Sequence, residues 1–400
     1  MKGADPGIEE AAGTGWARGA LLVLAVVLFG ARFGLSVIAI VLALIVMIFL
    51  HELGHYLTAK WAGMKVTEFF LGFGPKIWSF QRGETEYGIK AVPAGAYVKI
   101  IGMNNLDEVD PADEERTYRA KPTWRRLSVA VAGSTMHFIL AFVLVCVVVM
   151  GFGLPKPMTT LHSVSGPARD AGLHAGDKVL SIDGTAVSGW DDLSKAIRAR
   201  PGQTVTLVVS TKGVQRTVVA QLASQRPDGP KVGYLGIGPA FHDVRHGPWE
   251  GVKQMGAMAK ESVLGLKHLF SPTGIGNYVD NLTSTTKVSG DAAPPDRPTS
   301  VIGIVEVGSQ AAENGIVNVL YLLFAVNMFI GIFNLTPLLP FDGGHVVIAL
   351  YEKVRSMIAG RRYQADVAKL LPVTYAVVLV LALLFVTTIY MDVVNPVSIR

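Results

Sequence analysis

The chain has 400 residues, half of them hydrophobic and only 17% charged, against about 25% charged in ordinary soluble domains. With a mean hydropathy of +0.41, this composition describes several membrane spans with room for a soluble domain of about 100 residues. One cysteine, Cys146, excludes an intramolecular disulfide and any multi-cysteine metal site, and a net charge of +5 is an excess that sets membrane topology rather than one that binds nucleic acid.

The first apolar stretch runs from about Ala20 to Leu50, interrupted only by Arg32. It would be roughly 46 Å long as a helix, against a hydrocarbon core of about 30 Å. A kink, a strong tilt or an extramembrane first portion each absorb the excess. Residues 1–33 are therefore read as an N-terminal extension leading into the stretch, and the first span is placed at 34–62. Its apolar core is too long for a cleavable signal peptide. Near its end stands "HELGH", with His51, Glu52 and His55. Ionisable groups in a membrane are expensive and mark function. Positions i and i+4 share a helix face, so both imidazoles can reach one metal ion, and Glu52 beside it can take a proton from water. A catalytic zinc has three protein ligands and one open position. A third ligand is therefore expected elsewhere in the chain.

Residues 63–126 form a basic loop with β-structure, and 127–151, "LSVAVAGSTMHFILAFVLVCVVVMG", read as the second span. A soluble domain follows at 155–225. "VTLVVS" and "TVVAQL" pair as strands across the Lys212-Gly213 turn. "SGWDDLSKAIRA" has helical periodicity behind capping residues. With "GLHAGDKVLSIDG" the segment resembles a PDZ domain, a module that binds extended peptides by strand addition. Residues 226–316 hold an amphipathic helix, Pro248 to Leu269, suited to a membrane surface, and a polar, Pro-rich connection from Thr283 to Ser300.

The third segment, 317–345, runs into "NLTPLLPFDGGH", 346–370 form a loop, and 371–391 the fourth span. Lys and Arg concentrate between spans one and two and between spans three and four, which puts both loops in the cytoplasm. The termini and the 152–316 loop are then outside. Span one and segment three both end near the cytoplasm, so Asp342 reaches the depth of His51 and His55 and is the expected third ligand. Pro337 and Pro340 prevent a regular helix before it, and Gly343-Gly344 let the backbone bend around a ligand. Two histidines compete for notice. His345 is a rival ligand or a helix-start residue, and His137 in span two either approaches the site or makes a polar contact between helices.

These motifs, with "FFLGFGPKIWSF", "GIKAVPAGAYVKIIGM" and "SVIGIVEVG", resemble the site-2 protease family of intramembrane zinc metalloproteases, in its bacterial RseP-type form with a PDZ domain between spans two and three. The resemblance implies a zinc cofactor held by His51, His55 and Asp342, with Glu52 as catalytic base. It implies that Asn334 holds the substrate backbone, and that the β-structure of "EYGIKAVPAGAYVKI", with Gly95 at a tight place, clamps an unwound substrate. The implied fold is a multi-span α-helical membrane protein of four transmembrane helices, with a membrane-associated β-structure and an extracytoplasmic PDZ-like α+β domain. The implied setting is the bacterial cytoplasmic membrane, with no nucleic-acid partner. The implied substrates are single-span membrane proteins, such as anti-sigma factors or remnant signal peptides, trimmed first by an upstream site-1-type protease. The chain departs from the family pattern in the second span, where Ser134 replaces Pro and His137 replaces Asn, and at Phe341, which replaces Leu. Two other functions compete: a PDZ-bearing scaffold with a relict metal site, and a metal transporter. The intact HELGH and Asp342 disfavour the scaffold, and clustering of the ligands at one depth disfavours the transporter.

Overall fold

The structure, a computed structural model, describes residues 34–103, 107–227, 229–283 and 298–394. The N-terminal extension and most of the polar connection before Ser300 lie outside the described residues. The chain divides into two compact units, one of Val147–Trp249 and one of the segments on either side. Helix α1, Leu35–Trp61, is apolar on nearly every face, yet it buries one stripe: Ile40, Met47, His51, Gly54, His55 and Ala59. Spacings of three, four and seven keep these on one side of a helix, so the two histidines belong to the packed face.

Strands β1, Val66–Arg82, and β2, Thr85–Ile100, pair antiparallel, and each folds back on itself. Phe69 faces both Val98 and Tyr87, and Phe70 faces both Tyr97 and Gly88, while Trp78 faces Ile89 and Arg82 faces Thr85. The result is four runs in the order 76–82, 85–90, 66–71, 96–100, antiparallel in the two outer pairings and parallel in the central one, with Ala96–Ile100 along one edge. The segment expected to be one span from residue 127 is two helices, α2, Thr123–Ala130, and α3, Ala132–Cys146, meeting at Val131.

Within the second unit, β3 (Leu154–Val164), helix α4 (Pro167–Asp170), β4 (Lys178–Ile182), β5 (Thr185–Ala186), helix α5 (Trp190–Arg198), β6 (Thr204–Thr211), β7 (Val214–Gln221) and β8 (Ile237–Val244) follow in turn. The sheet order is β7-β6-β4-β3-β8, with β5 on β4. The sheet and α5 enclose a core that includes Leu161, Val179, Ile182, Leu193, Leu207 and Val209. The alternating burial of β6 supplies Val205, Leu207 and Val209 to it. The unit continues past residue 225, because β8 pairs with β3 from Leu154↔Val244 to Val164↔Ile237. A cavity of about 340 Å³ is lined by Trp190, Ile197 and Arg198 of α5 and by Tyr234, Gly236 and Ile237.

The chain then forms α6, Pro248–Leu269, α7, Pro272–Thr283, α8, Val301–Glu313, α9, Ile316–Asn334, α10, Asp342–Ala359, and α11, Leu371–Val394. Four helical segments among the described residues are long and apolar enough to cross a membrane: Leu35–Trp61, Ala132–Phe152, Ile316–Asn334 and Val367–Val394. Helix α8 falls within the stretch read as linker. It packs into the bundle instead: Ile304 joins Ala43, Met47, Leu140, Leu323 and Val326 in one apolar cluster. Its N-terminus is capped by Ser300, whose own backbone N–H donates to the buried Asp392 at 2.7 Å.

Candidate metal centre

Two elements remote in sequence bring their polar groups together. His51 and His55 lie one turn apart on the packed face of α1, and Asp342 opens α10. The Nε2 atoms of the two histidines are 3.2 Å apart. Asp342 Oδ2 lies 3.6 Å from His51 Nε2 and 3.3 Å from His55 Nε2. Donor atoms held at about 2.0–2.2 Å around a tetrahedral zinc are about 3.3–3.6 Å from one another, so this triangle has the edges of a zinc shell. Two further observations support the fit. Asp342 Oδ2 is buried and has no hydrogen-bond partner, a position that a carboxylate oxygen holds at a cost unless a cation faces it. The His55 Nδ1–H donates to the backbone oxygen of Val129 at 2.8 Å, which leaves Nε2 with its lone pair toward the other two donors.

Local sequence explains how the groups are placed. Val129 lies in the last turn of α2, where carbonyls lack the i+4 helical donor, so its oxygen can accept from His55. Gly133, in the first turn of α3, sits directly against the pair. A Cβ there would stand 2.3 Å from His51 Cε1 and 2.4 Å from His55 Nε2. Asp342 is set by the non-helical turn after Asn334, which includes a cis peptide at Leu339–Pro340. Gly343 and Gly344 are helical. They serve close packing rather than bending, since a Cβ at either would meet the backbone of that turn, at 2.2 Å from Leu335 O and 2.7 Å from Leu339 N.

Glu52 follows His51, with its Oε1 4.0 Å from His51 Nε2 and its carboxyl against the backbone of Val98 on the β2 edge run. Asn334 ends α9, and its carboxamide has no hydrogen-bond partner among the described residues. Gly95 takes φ +153, and a Cβ there would meet the Phe73 ring at 2.7 Å, so it lies in a tight bend leading into the edge run. His345 sits in the first turn of α10 against the Tyr118 ring, 6.3 Å between centroids, and is not part of the donor cluster of His51, His55 and Asp342. His137 is buried beside His51, with ring centroids 5.0 Å apart, and its Nδ1 is 2.9 Å from Asn327 Oδ1. Sequence reasoning passed over Gly133 and Val129. A glycine in "AGSTMHF" gave a signal for close packing, but a backbone carbonyl gives none.

The model of peptidase family M50 matches residues 39–381. The zinc metalloprotease Rip1 of Mycobacterium tuberculosis is 31% identical over 404 residues, covering 91% of this chain and 98% of that protein. Rip1 of Mycolicibacterium smegmatis is 33% identical, covering 92% of this chain and 99% of that protein. Among solved structures, the PDZ domain of an SdrC-like protein from Listeria innocua is 22% identical, covering 23% of this chain and 99% of that one with a TM-score of 0.19.

Proposed function

Because the chain belongs to peptidase family M50, the site-2 proteases, and is a zinc metalloprotease, we propose that His51, His55 and Asp342 hold the zinc and that Glu52 is the base for peptide-bond hydrolysis within the membrane. The observation that carries this reading is the donor triangle of 3.2, 3.3 and 3.6 Å with a carboxylate 4.0 Å from it. Zinc bound there would supply Lewis acidity, bringing the pKa of water down toward neutrality and polarising the scissile carbonyl. Glu52 accepts the proton that water loses as its oxygen bonds to the carbonyl carbon. It then delivers that proton to the leaving nitrogen, so the C–N bond breaks and an acid and an amine are released.

The substrate is a single-span protein, of the anti-sigma or remnant-signal-peptide kind, whose ectodomain an upstream protease has trimmed. A helix hides its scissile bonds and must be unwound. The edge run Ala96–Ile100, beside Glu52, offers unpaired backbone groups to an extended chain, and Asn334 offers both a donor and an acceptor to the same backbone. Gly95 shapes the bend that starts this edge. The HELGH end of α1 lies toward the cytoplasm of a bacterial inner membrane, and the PDZ-like unit lies outside, where it admits trimmed substrates and refuses folded ectodomains. The test is Glu52→Gln assayed in membranes on a trimmed single-span substrate. Cleavage is expected to fall by about 10²-fold or more while zinc stays bound, and unchanged cleavage would overturn the mechanism.

A further inference from the structure

A zinc-ligating histidine normally donates its second ring N–H to an acceptor that fixes the ring. His55 does so, through Val129. His51 directs Nε2 to the donor triangle, and its Nδ1 is buried with no hydrogen-bond partner among the described residues. Such a buried donor is destabilising until an acceptor meets it. The backbone oxygen of Gly133 approaches the His51 ring, but it makes no hydrogen bond with this atom.

The neighbouring side chain is His137, 1% exposed, with its ring centroid 5.0 Å from that of His51. Its tautomer can be read from its other partner. Asn327 Nδ2 donates to Leu323 O at 2.8 Å, which fixes the amide, and Asn327 Oδ1 then lies 2.9 Å from His137 Nδ1. An amide oxygen only accepts, so Nδ1 carries the proton, and in neutral imidazole Nε2 keeps the lone pair. A buried donor without a hydrogen bond thus belongs to a ring 5.0 Å from the His137 ring, whose Nε2 keeps its lone pair because Nδ1–H donates to Asn327.

We infer that His137 is a positioning residue for the zinc centre: Asn327 locks its tautomer, and its Nε2 serves as the acceptor for His51 Nδ1–H through one bridging water. The chain Leu323 O, Asn327, His137, His51 crosses from α9 through α3 to α1 and holds the His51 ring at the angle the metal needs. This gives the departure from the family pattern a function. Asparagine at 137 would reproduce the Nδ1 contact to Asn327 but is too short to place an acceptor where Nε2 stands. The inference rests on His51 being a ligand, and that reading has its own check, loss of zinc in His51→Ala.

The experiment is zinc competition against a chromophoric chelator with the purified full-length protein in detergent, together with the visible absorption of the cobalt-substituted form. His137→Asn is expected to weaken zinc 10–100-fold and alter the cobalt bands, whereas His137→Gln, whose amide oxygen reaches the Nε2 position, stays within about threefold of wild type. If both variants bind zinc as wild type does, or both lose it equally, the inference is overturned. Should His137→Asn not fold, Asn327 provides the second comparison. Asn327→Asp keeps an acceptor for Nδ1–H and should retain zinc, Asn327→Leu should lose the same 10–100-fold, and equal affinities in these two would overturn the inference as well.

Discussion

Gly133→Ala tests the metal centre by adding a single methyl group. The added Cβ would lie 2.3 Å from His51 Cε1, 2.4 Å from His55 Nε2 and 2.5 Å from His51 Nε2. Ordinary contacts between such atoms begin near 3.5 Å, so about 1 Å of separation must be created. Helix α3 cannot supply it cheaply, because it is already pressed on α1 at Gly54, where a Cβ would meet Met136 Cγ at 2.6 Å and Ala132 O at 2.9 Å. The displacement therefore falls on the imidazoles, whose Nε2 atoms belong to the donor triangle. Metal–ligand distances tolerate about 0.2 Å, and a misplacement of about 1 Å costs about 10²-fold in a reacting geometry. Gly133→Ala is expected to weaken zinc by about 10²-fold or more and to abolish cleavage, with helix content unchanged. The control is Gly265→Ala, on α6, where a Cβ meets nothing within 4 Å. Chelator competition on the two purified variants reads the difference. Wild-type zinc affinity in Gly133→Ala would refute the assignment of both histidines as ligands.

Two further predictions concern what supports the site and the second unit. Arg126 of α2 and Glu352 of α10 form a buried ion pair, and Glu352 also accepts from the Ala365 backbone at 2.7 Å. Arg126→Gln leaves that carboxylate uncompensated and should destabilise the protein by about 3–5 kcal/mol, while an Arg126→Met, Glu352→Leu double variant should lose much less; thermal unfolding in detergent compares them, and equal losses would refute the pairing argument. In the second unit the Asp177 side chain is fully buried, which by itself raises its pKa, but bonds from Thr211, the His174 backbone and Arg216 outweigh burial and hold it below the usual carboxylate value. The folded pKa is thus below the unfolded value of about 3.9, so its stabilisation is complete above that pH and is lost as pH falls through the folded value. Hydrogen exchange across 147–249 should accelerate in that acid window in the wild type, and Asp177→Asn should be weaker at neutral pH but flatter below it; parallel pH profiles would refute the assignment.

The parts of the site that were legible in sequence are those that repeat on a local period. His51 and His55 are four apart on a helix, and Asp342 follows two prolines that must end one. The β-structure around 66–100 was legible as strands, but its fold-back was not. Alternation fixes which side chains share a face and leaves open which run pairs with which, so the edge at Ala96–Ile100 beside Glu52 emerges only from the register. Helix α8 was missed because its 13 residues are too few for a span; Gly308, where a Cβ would meet Ile40 Cδ1 at 2.6 Å, and Gly303, where one would meet Asp392 Oδ2 at 2.5 Å, show how tightly it enters the bundle. Strand β8 was missed because its partner β3 lies about 80 residues earlier, and such pairing leaves no trace in local composition.

The interruption at Val131 shows how an irregularity in one element completes chemistry on another. In an unbroken helix from Thr123 to Cys146, the oxygen of Val129 would accept from the backbone N–H of Gly133. His55 would then share that carbonyl with a helical N–H, a weaker hold on its Nδ1–H and on the tautomer that keeps Nε2 free for a metal. In the folded chain, Thr135 N donates to Val131 O and Val131 N to Leu127 O, while Val129 O accepts from His55. One helical bond is exchanged for a hydrogen bond that fixes a ligand's tautomer. The same break starts α3 at Ala132, which puts Gly133 where only a residue without a side chain fits between two imidazoles. Two of the three donor groups therefore owe their position to a discontinuity in the neighbouring helix as much as to the four-residue spacing of their own.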